Sequence, residues 1–156
     1  MEPDRSFLET AVRLAERSVE EGGGPFGALV VRDGQIIGNG TNCVTLDNDP
    51  TAHAEVRAIR DACRNLGDYS LAGCTLYVSC APCPMCLSAA YWARLDAIFF
   101  AAPREAAAEA GFDDLFIADE LARTPEERQL PSQQVDIPGA ERPFALWSAK
   151  PDRAEY

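Results

Sequence analysis

Apolar positions over the first twenty residues recur at helical spacing. Phe7, Leu8, Ala11, Leu14, Ala15 and Val19 fall largely on one face, with Arg13, Glu16, Arg17 and Glu20 outside it. That pattern predicts an amphipathic helix capped by Asp4 or Ser6 and running to about Glu21. Gly22-Gly23-Gly24-Pro25 ends it, either as a flexible connector or as a place where backbone approaches something closely. The apolar run Phe26 to Arg32, then Asp33-Gly34, then Gln35 to Gly38, carries a strong hairpin signal. The second strand continues through Gly40-Thr41-Asn42-Cys43, and polar residues 44 to 50 read as a loop ending at Pro50.

A helix is expected from about Ala52 to Leu66, closed by Gly67, because His53, Val56, Ile59, Ala62 and Cys63 recur at its spacing. Leu71 to Ser79 reads as a third strand, Pro84 to Ala93 as a helix and Ala97 to Ala101 as a fourth strand. Helical stretches follow at Arg104 to Ala110 and Asp113 to Ala122, broken by Gly111. Thr124-Pro125-Glu126-Glu127 resembles a capped turn, Gln134 to Ile137 a short fifth strand, and Phe144 to Lys150 a last helix before a polar tail. A hairpin leading into strand–helix alternation predicts one α/β domain over residues 1–156, with a mixed sheet covered by helices.

Composition narrows the possible partners. The 156 residues carry a formal net charge of −11, with 14 Lys+Arg against 25 Asp+Glu. Lys150 is the single lysine, and the arginines are scattered. Such a surface disfavours nucleic acid. The N-terminus lacks a signal-peptide layout, and no apolar run approaches a membrane span, so a cytoplasmic protein is expected. In a reduced compartment the 6 cysteines read as metal ligands or small buried hydrophobes rather than disulfides.

The candidate chemistry centres on Pro82-Cys83-Pro84-Met85-Cys86, between a strand and a helix. Two thiols three positions apart can face one ion, and zinc accepts sulfur and imidazole. The chain has 1 histidine, His53, at the start of the preceding helix. His53, Cys83 and Cys86 as ligands of one zinc per subunit leave a fourth position for water or hydroxide, the arrangement of a catalytic site. Glu55, two residues past His53, is placed to reach that water without binding the metal and so to shuttle protons. Hydrolytic displacement of an amine from a C–N double-bond system suits this set. Each element has a plain alternative: a structural histidine, a redox Cys-x-x-Cys, a carboxylate at a helix dipole. Cys80 forms an overlapping Cys-x-x-Cys, and a closed site including it would make a non-catalytic, zinc-stabilised interaction module. Cys43, Cys63 and Cys74 read as apolar fillers. His-Ala-Glu at one helix start with Pro-Cys-x-x-Cys at the next is the signature of zinc nucleobase deaminases.

At these residues the sequence resembles the cytidine deaminase-like superfamily and, within it, the small zinc-dependent bacterial guanine deaminases. The match runs through Gly24-Pro25-Phe26-Gly27-Ala28, Asn42, Asn48 to Val56, Ser79-Cys80, Pro82 to Cys86, Tyr91 to Arg94, Ala110 to Asp114 and Glu155-Tyr156. The resemblance implies a three-layer α/β/α fold with a five-stranded mixed sheet. It also implies zinc on His53, Cys83 and Cys86, Glu55 as proton shuttle, and a homodimer whose C-terminal segments, about residues 140–156, exchange so that Tyr156 reaches the neighbouring pocket. The expected substrate is guanine, with guanosine, cytosine or another amino-substituted heterocycle as the alternative. A flat purine wants apolar and aromatic walls, for which Phe26, Trp92 and Phe112 are candidates beside Ala54. Asp114, with Asp113 behind it, would accept guanine's N–H donors, and Asn42 would bond the ring edge. The family often has Glu where this chain has Ala81.

Overall fold

A computed structural model describes residues 2–156; Met1 lies outside the described residues. The chain divides into two compact units, Met1–Ala118 and Asp119–Tyr156. Helix α1 (Arg5–Glu20) starts where Asp4 accepts a hydrogen bond from the Ser6 amide. Strands β1 (Gly24–Arg32) and β2 (Gln35–Asn42) form the expected hairpin. Asp33 and Gly34 both take positive φ, 50° and 75°, the primed turn that matches strand twist. A short helix α2 (Val44–Asp47) occupies part of the expected loop. There follow α3 (Ala54–Leu66), β3 (Thr75–Cys80), α4 (Pro84–Trp92), β4 (Ala97–Ala102), α5 (Arg104–Glu109) and α6 (Asp114–Ala122). Helix α3 begins at Ala54 rather than about Ala52, and ends with Gly67 at φ 68°.

The sheet order is β2-β1-β3-β4, with β3 and β4 parallel and the other pairs antiparallel. Alternation along the strands separates two layers. Leu29, Val31 and Tyr77 face one way, onto Phe7, Leu8 and Leu14 of α1. Ala28, Val30, Leu76 and Val78 face the other, onto Ala54, Ala58 and Ala62 of α3 and Ala90 of α4. The three-layer α/β/α arrangement with a mixed sheet is as expected.

The strand count is not. The sheet has four strands among the described residues, where five were expected. Gln134 to Ile137 forms no strand. Pro131 and Pro138 bracket it, and Val135 and Ile137 stay exposed, so the stretch has β-type composition without a ladder to join.

In the unit Asp119–Tyr156, a capping box between Thr124 and Glu127 opens a short 3₁₀ turn, Pro125–Glu127. Glu120 accepts a hydrogen bond from the Gln129 amide at 2.6 Å, and its carbonyl accepts one from Arg128 Nε at 3.2 Å. Helix α7 spans Arg142–Ala149. No helix among the described residues is long and apolar enough to cross a membrane.

Candidate active site

Two helix beginnings meet at the site. His53 is the residue before α3, and Cys83 the residue before α4; both have extended backbone, at ψ 153° and 167°. Neither makes a capping hydrogen bond through its side chain. The strand between them, β3, delivers Cys83, and Pro84 in the first turn of α4 fixes the entry. Cys86 follows one turn on and is fully buried.

The three donors converge. A tetrahedral ion with bonds of about 2.0 Å to nitrogen and about 2.3 Å to sulfur holds those donors roughly 3.5 Å apart. His53 Nδ1 lies 3.6 Å from Cys83 Sγ and 3.5 Å from Cys86 Sγ. One nitrogen and two sulfurs, all within 4.8 Å of one another, form a possible zinc site. The electrostatics agree: donors on Cys86 and His53 hold the Cys83 thiol down, towards the thiolate a metal needs. The neighbouring Cys83 sulfur and burial hold the Cys86 thiol up. His53 is raised by its contact with Cys83. Cys80 turns away, its thiol donating to the Pro103 carbonyl at 3.4 Å, and is not part of the cluster.

Glu55 projects from the first turn of α3 and is 5% exposed. Burial pushes its carboxyl up to about 7, with the Cys83 thiolate adding to the effect. A carboxyl poised near neutrality can both take and give a proton. It lines a cavity of about 390 Å³ together with His53, Cys83, Phe26, Asn42, Phe112 and Asp114. The sheet register explains why Phe26 is there. Gly24 pairs with Asn42 and Gly27 with Thr41, so Pro25 and Phe26 form a bulge that re-aims the side chain. Phe26 meets Phe112 edge to face, centroids 4.9 Å apart. Asn42 Oδ1 accepts from the Val44 amide at 3.3 Å, which assigns the Nδ2 end of the amide as the donor left to the cavity. Burial raises the Asp114 carboxyl, as does Cys83, while His53 and Arg104 oppose the shift.

Other expected residues fall elsewhere. Ala54 is fully buried under the sheet. Asp113 does not line the cavity. Trp92, at the end of α4, is 65% exposed and lines a separate groove with Val56, Ile59 and Tyr69. Tyr156 lies in the unit Asp119–Tyr156, with its ring 6.5 Å from that of Trp147. Gly23, Gly24, Val44, Thr45, Pro50 and Ala81 line the cavity although none of them was assigned to the substrate site. The Gly22 to Pro25 run was the available signal for the first two. Ala81 stood out only as a departure from the family pattern, and nothing local marked Val44, Thr45 or Pro50 as lining.

The fold and the donor set define a class, the zinc-dependent hydrolytic deaminases. The chain belongs to the cytidine and deoxycytidylate deaminase zinc-binding family, whose sequence model matches residues 1–102. Within that class it is 55% identical over 152 residues to guanine deaminase of Bacillus subtilis (strain 168), covering 97% of each chain. The X-ray structure of guanine deaminase from Bacillus subtilis superposes with a TM-score of 0.95 at 53% identity, covering 99% of both chains. The guanine deaminase structure from Nitrosomonas europaea gives a TM-score of 0.69 at 29% identity, over 73% of this chain and 66% of that one. A tRNA-specific adenosine deaminase of Aquifex aeolicus (strain VF5) is 46% identical over 96 residues, 62% of this chain and 64% of its own.

Proposed function

We propose that the protein hydrolyses guanine to xanthine and ammonia, using zinc held by His53, Cys83 and Cys86. The observation that carries this reading is Glu55, a buried carboxyl at about 7, sharing one cavity with His53 and Cys83. Similarity to a guanine deaminase along 97% of the chain, against 62% for a tRNA-specific enzyme, supports guanine. The net charge of −11 also argues against a polyanionic substrate.

His53, Cys83 and Cys86 would hold the ion and would leave a coordination position to solvent. When bound, zinc supplies the Lewis acidity that makes water a usable nucleophile near neutral pH. Glu55 takes the proton of the attacking water and delivers it to the ring nitrogen beside C2. It then takes the second proton of that oxygen, now bonded to C2, and gives it to the amine, so that the C2–N bond breaks, ammonia leaves and C2 becomes a carbonyl. Asp114 accepts hydrogen bonds from N1–H and the 2-amino group, Asn42 donates to an acceptor on the base edge, and Phe26 and Phe112 form the apolar wall. Trp92 and Asp113 are outside that wall within one chain.

The same reading makes residues 1–156 one catalytic domain and the protein a homodimer that exchanges C-terminal segments, with Tyr156 covering the partner's pocket. Exposure of Phe144, Leu146, Trp147 and Tyr156 supports a segment that packs elsewhere. The reaction is placed in the cytoplasm, where the six free thiols stay reduced. Ammonia release from guanine by the zinc-loaded protein tests the substrate. Release no greater than that of a Glu55→Gln control rejects it. Turnover of guanosine or cytosine without turnover of guanine would establish the alternative substrates.

A further inference from the structure

The base-binding amide of Asn42 is held by its surroundings. Asn42 is 7% exposed, and Ser18, 2% exposed, donates from Oγ to its carbonyl at 3.4 Å. Gly23 N donates to Ser18 O at 2.7 Å, which pulls the glycine run against the end of α1. The strand pairing then sets Gly24 directly opposite Asn42, at the edge of the bulge that carries Phe26. The side chain of Asn42 lies in the space a Cβ on residue 24 would fill. Such a Cβ would sit 2.8 Å from both Cγ and Oδ1 of Asn42, and 3.2 Å from its Cβ. Rotating the amide cannot relieve the last contact, because Cβ does not move with χ1. Gly24 carries no positive φ, so conformational freedom is not what the site requires of it; space is.

We propose that Gly24 positions the Asn42 amide for recognition of the base. By leaving room for the Asn42 amide, it allows Oδ1 to stay on the Val44 amide and Nδ2 to face the bound base. The inference rests on the reading of the cavity as a guanine site. It makes the glycine run part of substrate recognition, and Gly24 a positioning residue that acts through Asn42.

The test is a double-mutant cycle of Gly24→Ala and Asn42→Ala in the zinc-loaded enzyme, with guanine as substrate and zinc stoichiometry measured on each protein. Gly24→Ala is expected to raise KM for guanine about tenfold, the loss of one hydrogen bond to the base, with kcat changed less than about threefold and zinc retained. In the Asn42→Ala background, the same substitution is expected to change KM less than about twofold. Equal effects in the two backgrounds would overturn the proposal, as would a KM unmoved by either single change. If Gly24→Ala alone does not fold, the readout is recovery of folding: the double variant, lacking the amide the new Cβ meets, is expected to regain a cooperative urea transition. A double variant without such a transition would refute the steric coupling. Failure of the wild type to release ammonia from guanine is a separate outcome that removes the substrate assignment and this inference together.

Discussion

Replacing Gly40 with alanine should damage the catalytic geometry from the far side of helix α3. Gly40 lies on β2 opposite Ala28, where the strand backbone meets the helix backbone. A Cβ there would contact the Ala54 carbonyl oxygen and lie 2.6 Å from Ala58 N and 2.8 Å from Arg57 Cβ. Gly38, two residues back on the same face, is pressed against Ala58 and Ala62 in the same way. Most of these contacts are backbone, so no side chain can swing aside, and α3 must move by most of an ångström. Overpacking costs about 1–3 kcal/mol, and the rigid neighbours place Gly40→Ala near about 3 kcal/mol. With a urea slope of about 2 kcal/mol/M, the midpoint should fall by about 1.5 M. The N-terminus of α3 carries His53 and Glu55, and a displacement of about 1 Å at reacting groups costs about 100-fold in rate. Gly34→Ala is the control. Its φ is 75° in open space at the hairpin tip, so the expected cost is about 1 kcal/mol with kcat unchanged. The assays are urea melts followed by CD and ammonia release at a temperature where both variants are folded. A midpoint for Gly40→Ala no lower than that for Gly34→Ala, or a kcat equal to wild type, would refute the argument.

Glu55→Gln should lower ammonia release by about 10²–10⁴-fold while zinc is retained; a smaller loss would move the proton shuttle elsewhere. In the metal-free protein, the Glu55 carboxyl, raised from 4.5 to about 7, keeps its proton in the fold after the unfolded chain has lost it. Wild-type stability relative to Glu55→Gln should therefore fall by about 3 kcal/mol as pH rises from about 4.5 to about 7, and stay level above that. Parallel urea midpoints across that window would contradict the buried carboxyl. Cys83→Ser should lose zinc to a chelator at least tenfold faster than wild type, and Cys80→Ser at the wild-type rate, because the Cys80 thiol is committed to Pro103; rapid loss from Cys80→Ser would revive the closed four-ligand site. Phe112→Ala removes the edge-to-face partner of Phe26, worth about 1 kcal/mol, and should raise KM several-fold at unchanged kcat, as read by initial rates.

What was legible in the sequence was local. Asp33-Gly34 and Gly67 specify their turns through the φ values they tolerate, and both sit where expected. The zinc donors were legible because two lie within one helical turn and the third is the single histidine. What was not legible depends on register between distant segments. The bulge that turns Phe26 into the cavity exists because Gly24 pairs with Asn42 and Gly27 with Thr41, which no periodicity within β1 reveals. Gly38 and Gly40 read only as part of the second strand, and they are where the backbone of α3 approaches it closely. Trp92 was grouped with the pocket by its type; within one chain it lines a separate groove at the end of α4.

A second signal lies in how helices α3 and α4 begin. A helix normally begins on Ser, Thr, Asp or Asn, whose oxygen satisfies an otherwise orphaned amide. Asp4 does this for α1. Helices α3 and α4 begin instead on His53 and Cys83, and neither side chain caps its helix. Losing such a cap costs about 1 kcal/mol; α2, α5 and α7 also start without one, and what sets α3 and α4 apart is that their starting side chains face each other across 3.6 Å. The amides there are also the positive ends of the helix dipoles, and the Cys86 amide helps to hold the Cys83 thiol down, which favours a thiolate at Cys83. Stability forgone at both helix starts is thus converted into a donor set with the charge and spacing that zinc requires. Helix starts occupied by metal-ligating side chains, at points that the fold brings together, mark this site more specifically than Cys-x-x-Cys alone.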